Sequence, residues 1–118
     1  GTAALQAQLL MAAELMGLSQ DLKEEFQNGQ SAMYQRMEHS LPGVPAKARR
    51  WVSEMQEIET TFGHLGLSPH LFQGVADMYR LIGGTRLGQE TPESKDLDRT
   101  LEQTISVLAR HVEPPQPR

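Results

Sequence analysis

The residues with the most chemical potential lie in the run KARRWVSEMQEIETTFGHL, residues 47–65. Arg50, Glu54 and Glu57 follow one another at steps of four and three, which places a cation and two carboxylates on one helical face. Lys47 stands one turn before this row. Such a row can line a cleft and hold a polar substrate or a partner subunit. It can equally be a solvated face whose Arg50–Glu54 pair contributes about 0.2–0.5 kcal/mol. On a neighbouring face Trp51, Met55, Ile58, Phe62 and Leu65 form an apolar stripe. That register makes Trp51 a core or interface residue before it makes it a ligand contact.

Other chemistries find less support. His64 and His70 flank a helix break six residues apart, unlike the i,i+4 spacing of helical metal ligands. His39 and His111 have no acidic or histidine neighbour at helical spacing, so no metal site is expected. With no cysteine, no Gly-x-Ser-x-Gly turn and no serine set beside a histidine, no nucleophile is assigned and no catalytic residue is expected. Gly83-Gly84-Thr85 follows a helix instead of opening one, the wrong order for cradling a phosphate.

The elements that must position these residues are read as helices. Of 118 residues, 38% are hydrophobic and 22% charged, enough for one domain with a core. A net charge of −4 argues against non-specific nucleic-acid binding, and no apolar run reaches membrane-spanning length. The lack of cysteine is compatible with a cytoplasmic protein. Leucine outnumbers valine and isoleucine and nothing alternates with period two, so the fold is expected to be all-α, a single helical domain of about six helices.

The first helix is expected to bury Leu5, Leu9, Ala12 and Met16 and to end at Gly17. Ser19 is expected to cap a second helix through Asn28, and residues 31–40, with Met33, Tyr34 and Met37 apolar, to form a third. Leu41 to Pro45 is a turn, since two prolines and a glycine break a helix. A long helix from about Ala46 to Leu65 stops at Gly66, and Ser68-Pro69 opens the next, which ends at Gly83-Gly84. Thr91-Pro92 repeats that signal, predicting a last helix with the stripe Leu97, Leu101, Ile105 and Leu108. Asp96 and Asp98 are placed near its start, Arg110 and His111 near its end. The domain is thus expected over residues 1–112, with a frayed, disordered tail over 113–118. Gly1 without an initiator Met, opening a helix with no cap, reads as the start of a fragment.

Several motifs together carry a resemblance: Lys47-Ala48-Arg49-Arg50-Trp51, Glu54-Met55-x-Glu57-Ile58, Phe62, Gly66-Leu67-x-Pro69 and Gly74-Val75-Ala76-x-x-Tyr79. They resemble the C-terminal helical domain of 6-phosphogluconate-dehydrogenase-like, NAD(P)-binding proteins of the β-hydroxyacid dehydrogenase group. The similarity covers most of residues 1–110 and is most specific over 47–79. It implies a two-domain, homodimeric enzyme that acts on a small-molecule hydroxy acid, with NAD or NADP held by an N-terminal Rossmann domain. It also implies that the catalytic lysine lies upstream of Gly1, so this chain alone binds no cofactor and is inactive. By the same resemblance Lys47, Arg50, Trp51, Glu54 and Glu57 match a helix running along the cleft and the dimer interface. A cation there, Lys47 or Arg50, would steady a substrate carboxylate or a cofactor phosphate. The alternative is a stand-alone helical protein-interaction module, with the Arg50–Glu54–Glu57 row and the methionines as its contact surface.

Overall fold

The computed structural model describes residues 1–112, and the expected tail at 113–118 lies outside the described residues. Within them the chain forms six α-helices and two 3-10 turns, with no strand. The helices are α1 (Thr2–Leu15), α2 (Ser19–Gly29), α3 (Ser31–Ser40), α4 (Pro45–His64), α5 (His70–Gly83) and α6 (Leu101–His111). The 3-10 turns are Leu41–Gly43, before α4, and Arg86–Gln89, after α5. The all-α reading therefore holds.

Helices α1 and α4 end in the same way. Gly17 and Gly66 take positive φ of 72° and 80°, the left-handed region that a side chain disfavours. After α1, Leu18 N–H reaches Ala13 O at 2.8 Å and Gly17 N–H reaches Glu14 O at 3.1 Å. After α4, Leu67 N–H bonds Phe62 O at 2.9 Å and Gly66 N–H bonds Gly63 O at 3.1 Å. Both are the paired bonds of a Schellman termination, which satisfy carbonyls that the helix leaves open.

The centre of the fold is the hairpin of α4 and α5. Trp51 packs against Tyr79 in a tilted contact with ring centroids 5.3 Å apart, and Phe62 meets Phe72 edge-on at the same distance. Residues further along α4 thus face residues earlier in α5, the signature of antiparallel helices. At the open end Arg49 Nε donates to Gly83 O at 2.9 Å. A Cβ on Gly83 would stand 2.8 Å from Arg49 Cγ, and one on Gly88 would stand 2.1 Å from Gly83 O. Gly83 reads in the sequence as a helix stop, but here it also lets three segments meet. Around the hairpin, α1, α3 and α6 close a core that includes Met11, Met37, Ile82, Leu87, Ile105 and Leu108.

Three sequence expectations are corrected. In α1 the buried face is Ala4, Ala7, Leu10, Met11 and Ala13, while Leu5 is 72% exposed and Leu9 and Met16 also face outward. That helix is apolar nearly all round, so periodicity does not select a face. The small alanines win because they let neighbouring backbones approach. Ser19 is not a cap: Leu18 holds the boundary position, and the Ser19 hydroxyl donates to the Glu14 carboxylate.

The last helix begins at Leu101, not at Pro92. Thr91 and Ser94 do bond reciprocally, with Ser94 Oγ accepting Thr91 N–H at 2.9 Å and Thr91 Oγ1 accepting Ser94 N–H at 3.1 Å. That turn does not propagate, because Asp96 Oδ1 accepts Asp98 N–H at 2.9 Å and diverts the backbone. The helix starts nine residues later than its first signal, from a complete capping box of Thr100 and Gln103. Leu97 consequently lies 83% exposed, outside the stripe. Asp96 and Asp98 precede the helix, and Glu102 takes the first-turn acidic position. Leu101, Ile105 and Leu108 are buried as expected, and Arg110 and His111 occupy the last turn.

Space at the glycines separates two outcomes. Gly88→Ala must move backbone and is expected to lower stability by about 2 kcal/mol or more. Gly74→Ala, inside α5 with nothing within 4 Å of the new Cβ, is expected to raise it by about 0.5–1 kcal/mol. Urea unfolding followed by circular dichroism checks both; equal effects of one sign would contradict the packing described.

Candidate functional site

Helix α4 carries all five residues singled out in the sequence, and the fold sends them to three different places. Arg50, Glu54 and Glu57 are exposed and make no ion pair among the described residues. The Arg50–Glu54 pair that their spacing allows is not formed. Trp51 is half-buried at the edge of the core, against Tyr79. Lys47 is half-buried, its Nζ lying 5.9 Å from the Trp51 ring centroid. It also lines a depression of about 340 Å³ with His39, Lys95, Asp96 and Arg99.

Arg99 is the group that sequence reasoning missed. Its side chain is only 8% exposed, and that of its partner Glu90 is 19% exposed. Nη1 and Nη2 bind the two Glu90 oxygens at 2.9 and 2.8 Å, a bidentate pair. Nη2 also donates to Pro42 O at 3.0 Å, and Nε donates to Thr104 Oγ1 at 3.2 Å. Hydrogen bonding from Arg99 holds the Glu90 carboxyl below the usual carboxylate range, against the opposing effect of burial. No spacing rule joins positions 42, 90, 99 and 104. The only sequence signal was an Arg and a Glu inside a stretch read as helix and loop.

A second polar cluster lies between α2, α3 and α6. Lys23 Nζ donates to Glu102 Oε1 at 2.8 Å, and the Tyr34 hydroxyl donates to the same oxygen at 3.4 Å. Burial, with Glu102 adding to it, pushes the Tyr34 phenol up to about 12. The hydrogen bond with Lys23 lowers Glu102 and raises Lys23. A cavity of about 60 Å³ beside them, walled by Leu10, Leu101 and Ile105, is too small for a substrate. The cluster ties α2 onto the core, against which Leu22 and Phe26 also pack.

The third feature is an apolar groove of about 390 Å³ between α1 and α5, lined by Leu5, Leu71, Phe72, Val75 and Met78 among others. Among the described residues no group of three His, Asp or Glu side chains is placed to hold a metal ion. No helix among them is long and apolar enough to cross a membrane. The helical hairpin, its aromatic contacts and its turn thus form the framework on which both depressions hang.

A family model described as a domain of unknown function (DUF1932) matches residues 13–82, from the end of α1 to the end of α5. The chain belongs to this family. The DUF1932 domain is the C-terminal helical domain of 6-phosphogluconate-dehydrogenase-like, NAD(P)-binding β-hydroxyacid dehydrogenase family proteins, as the motifs of α4 and α5 imply. No curated protein and no solved structure matches the chain significantly. Within the DUF1932 match lie Lys47, Arg50, Trp51, Glu54 and Glu57, whereas Glu90, Lys95 and Arg99 lie beyond it.

Arg99→Met leaves the Glu90 carboxylate half-covered and unpaired. The expected loss is about 3 kcal/mol at pH 7, with partial recovery in the Glu90→Gln/Arg99→Met double variant. Because the folded value of Glu90 is lowered, the pair stabilises fully above the ordinary glutamate value near 4.5 and fades as pH falls through the folded value. Melting curves should therefore show the Arg99→Met deficit shrinking below about pH 4.

The Lys23–Glu102 contact should stabilise over a bounded range. Glu102 contributes above about pH 4.5, and Lys23 contributes below its ordinary 10.5, losing its share as pH rises through its raised folded value. Glu102→Gln should thus lower the melting temperature at neutral pH and converge on wild type in acid. A deficit that persists unchanged at pH 3 would remove the ion pair as its cause.

Proposed function

We propose that this chain is the helical C-terminal domain of an NAD(P)-dependent oxidoreductase of the β-hydroxyacid dehydrogenase type, contributing a cleft wall and a dimer interface and inactive alone. In the parent reaction a hydride passes between NAD or NADP, held by an N-terminal Rossmann domain, and a small-molecule hydroxy acid. The family supports the coarse association with dehydrogenase-like proteins. The observation that carries the finer reading is the apolar groove of α1 and α5. Leu5 at 72% and Leu71 at 75% exposure stand at its rim, beside the outward-facing Leu9. Large apolar side chains grouped round a groove mark a surface that another molecule covers.

On this reading a second copy covers that groove, and the exposed α4 row of Arg50, Glu54 and Glu57 faces the dinucleotide-binding half. Their solvated carboxylates and cation then have a use that the helical domain itself does not supply. The catalytic proton transfer is assigned to none of them.

Sedimentation velocity on the 118-residue chain tests the dimer. A dimer at tens of micromolar is expected, shifting to monomer in a Leu5→Glu/Leu71→Glu variant that keeps its helical circular dichroism. A wild-type chain that stays monomeric at high concentration would overturn the interface. Dimerisation that survives the double substitution would move it elsewhere.

A further inference from the structure

Residues 91–95 hold the first turn of a helix that the structure does not continue. Thr91 and Ser94 exchange the reciprocal bonds of a capping box, and Pro92 stands at the first helical position. Thr91 O accepts Ser94 N–H at 3.1 Å and Lys95 N–H at 2.9 Å, the second being the i,i+4 bond of an α-helix. Glu93 lies in this turn, where the helix dipole favours a carboxylate. The costly step in making a helix is its first bonded turn, and here that step is complete.

What stops the next bond is confined to a few residues. The Glu90 carboxyl is held low by hydrogen bonding from Arg99, and a further bond from the Asp96 N–H adds to this. That N–H is the donor that the next helical bond, to Pro92 O, would use. Asp96 Oδ1 in turn takes the Asp98 N–H at 2.9 Å. The Leu97 and Arg99 N–H groups make no hydrogen bond among the described residues. The Arg99 side chain is drawn to Glu90, Pro42 and Thr104. Leu97 is 83% exposed, yet it stands four residues before Leu101. A helix through 92–100 would set it one turn ahead of the stripe Leu101, Ile105 and Leu108 that α6 buries.

We propose that residues 91–100 are a two-state strap: when the Glu90–Arg99 clamp opens, the turn at Thr91 propagates into α6 and makes one helix from Pro92 to His111. One segment with two start signals, each with its own reciprocal cap, is a bistable element, and the clamp selects the later start. The change reaches the depression beside Lys47, one wall of which is Lys95, Asp96, Leu97 and Arg99. Extending the helix withdraws that wall and opens the depression on its Lys47 side. The strap lies beyond the DUF1932 match and stands apart from the dehydrogenase reading.

The experiment compares backbone carbon shifts and amide exchange, by NMR, in the 118-residue chain and in Glu90→Gln/Asp96→Ala. One substitution loosens the clamp, and the other removes the side chain that turns the backbone. In the double variant the carbonyl-carbon shifts of residues 96–100 are expected to become helical. Exchange of the Leu97 and Arg99 amides is expected to slow about tenfold or more. Adding Leu97→Gly, which disfavours a helix interior, should reverse both changes. Thr100→Ala separates the two states independently. In the wild-type background it removes the cap of α6 and speeds exchange at the Gln103 amide. In the double variant position 100 is helix interior, and alanine slows exchange there. Asp96→Ala alone keeps the clamp and should move the same shifts part of the way. Shifts at 96–100 that stay non-helical in both Asp96 variants, or a Thr100→Ala effect of one sign in both backgrounds, overturn the strap.

Discussion

Arg99 is the side chain that ties the C-terminal part of the fold to the turn ahead of α4. Its guanidinium joins Glu90 after the second 3-10 turn, Pro42 in the first, and Thr104 in α6. Residues 90–100 form no helix or strand, and this clamp ties them to the turn ahead of α4. The clamp works because it is largely covered. In that environment a bidentate pair has few competing waters, and its geometry is fixed by planar groups on both sides. Through the same contacts Arg99 forms one wall of the depression that Lys47 and Lys95 also line.

The hairpin of α4 and α5 sets a second, complementary constraint. Its aromatic pairs fix the register, and the approach of Arg49, Gly83 and Gly88 fixes the angle at which the following segment leaves. That exit direction decides where residues 90–100 can travel. A rigid hairpin and a clamped loop therefore act in series to bring Lys95 to the turn ahead of α4. Neither would do so alone. The opposite use of the hairpin, its α5 face toward α1, creates the apolar groove. One element thus supports a polar depression and an apolar surface.

Much of this was legible in the residue order. Gly17, Gly66 and Ser68-Pro69 place helix ends within a residue or two, because termination depends on backbone conformations that only a few residue types favour. The α4 and α5 motifs carry the family. What failed to read through was choice among faces and among start signals. In α1 every face is apolar, so the buried one is selected by how closely alanines let α1 approach its neighbours. At residues 91–100 two cap signals compete, and the Asp96 turn together with the Arg99 clamp decides for the later one. The carboxylate row of α4 was visible as a row; that Arg50, Glu54 and Glu57 stand in solvent while Lys47 turns into a depression was not.

The sequence by itself determined an all-helical chain, most helix boundaries and the family, since these follow from local conformational preference and short spacings. Only the tertiary structure decided that Arg99 clamps Glu90 and Pro42, and that Lys47 and Lys95 line one depression. The Arg99 contacts join residues 9 and 57 positions apart, and the depression brings together residues 47 and 95. No periodicity encodes such separations. They arise from packing geometry, where the room beside a glycine and the reach of one guanidinium settle which distant groups become neighbours.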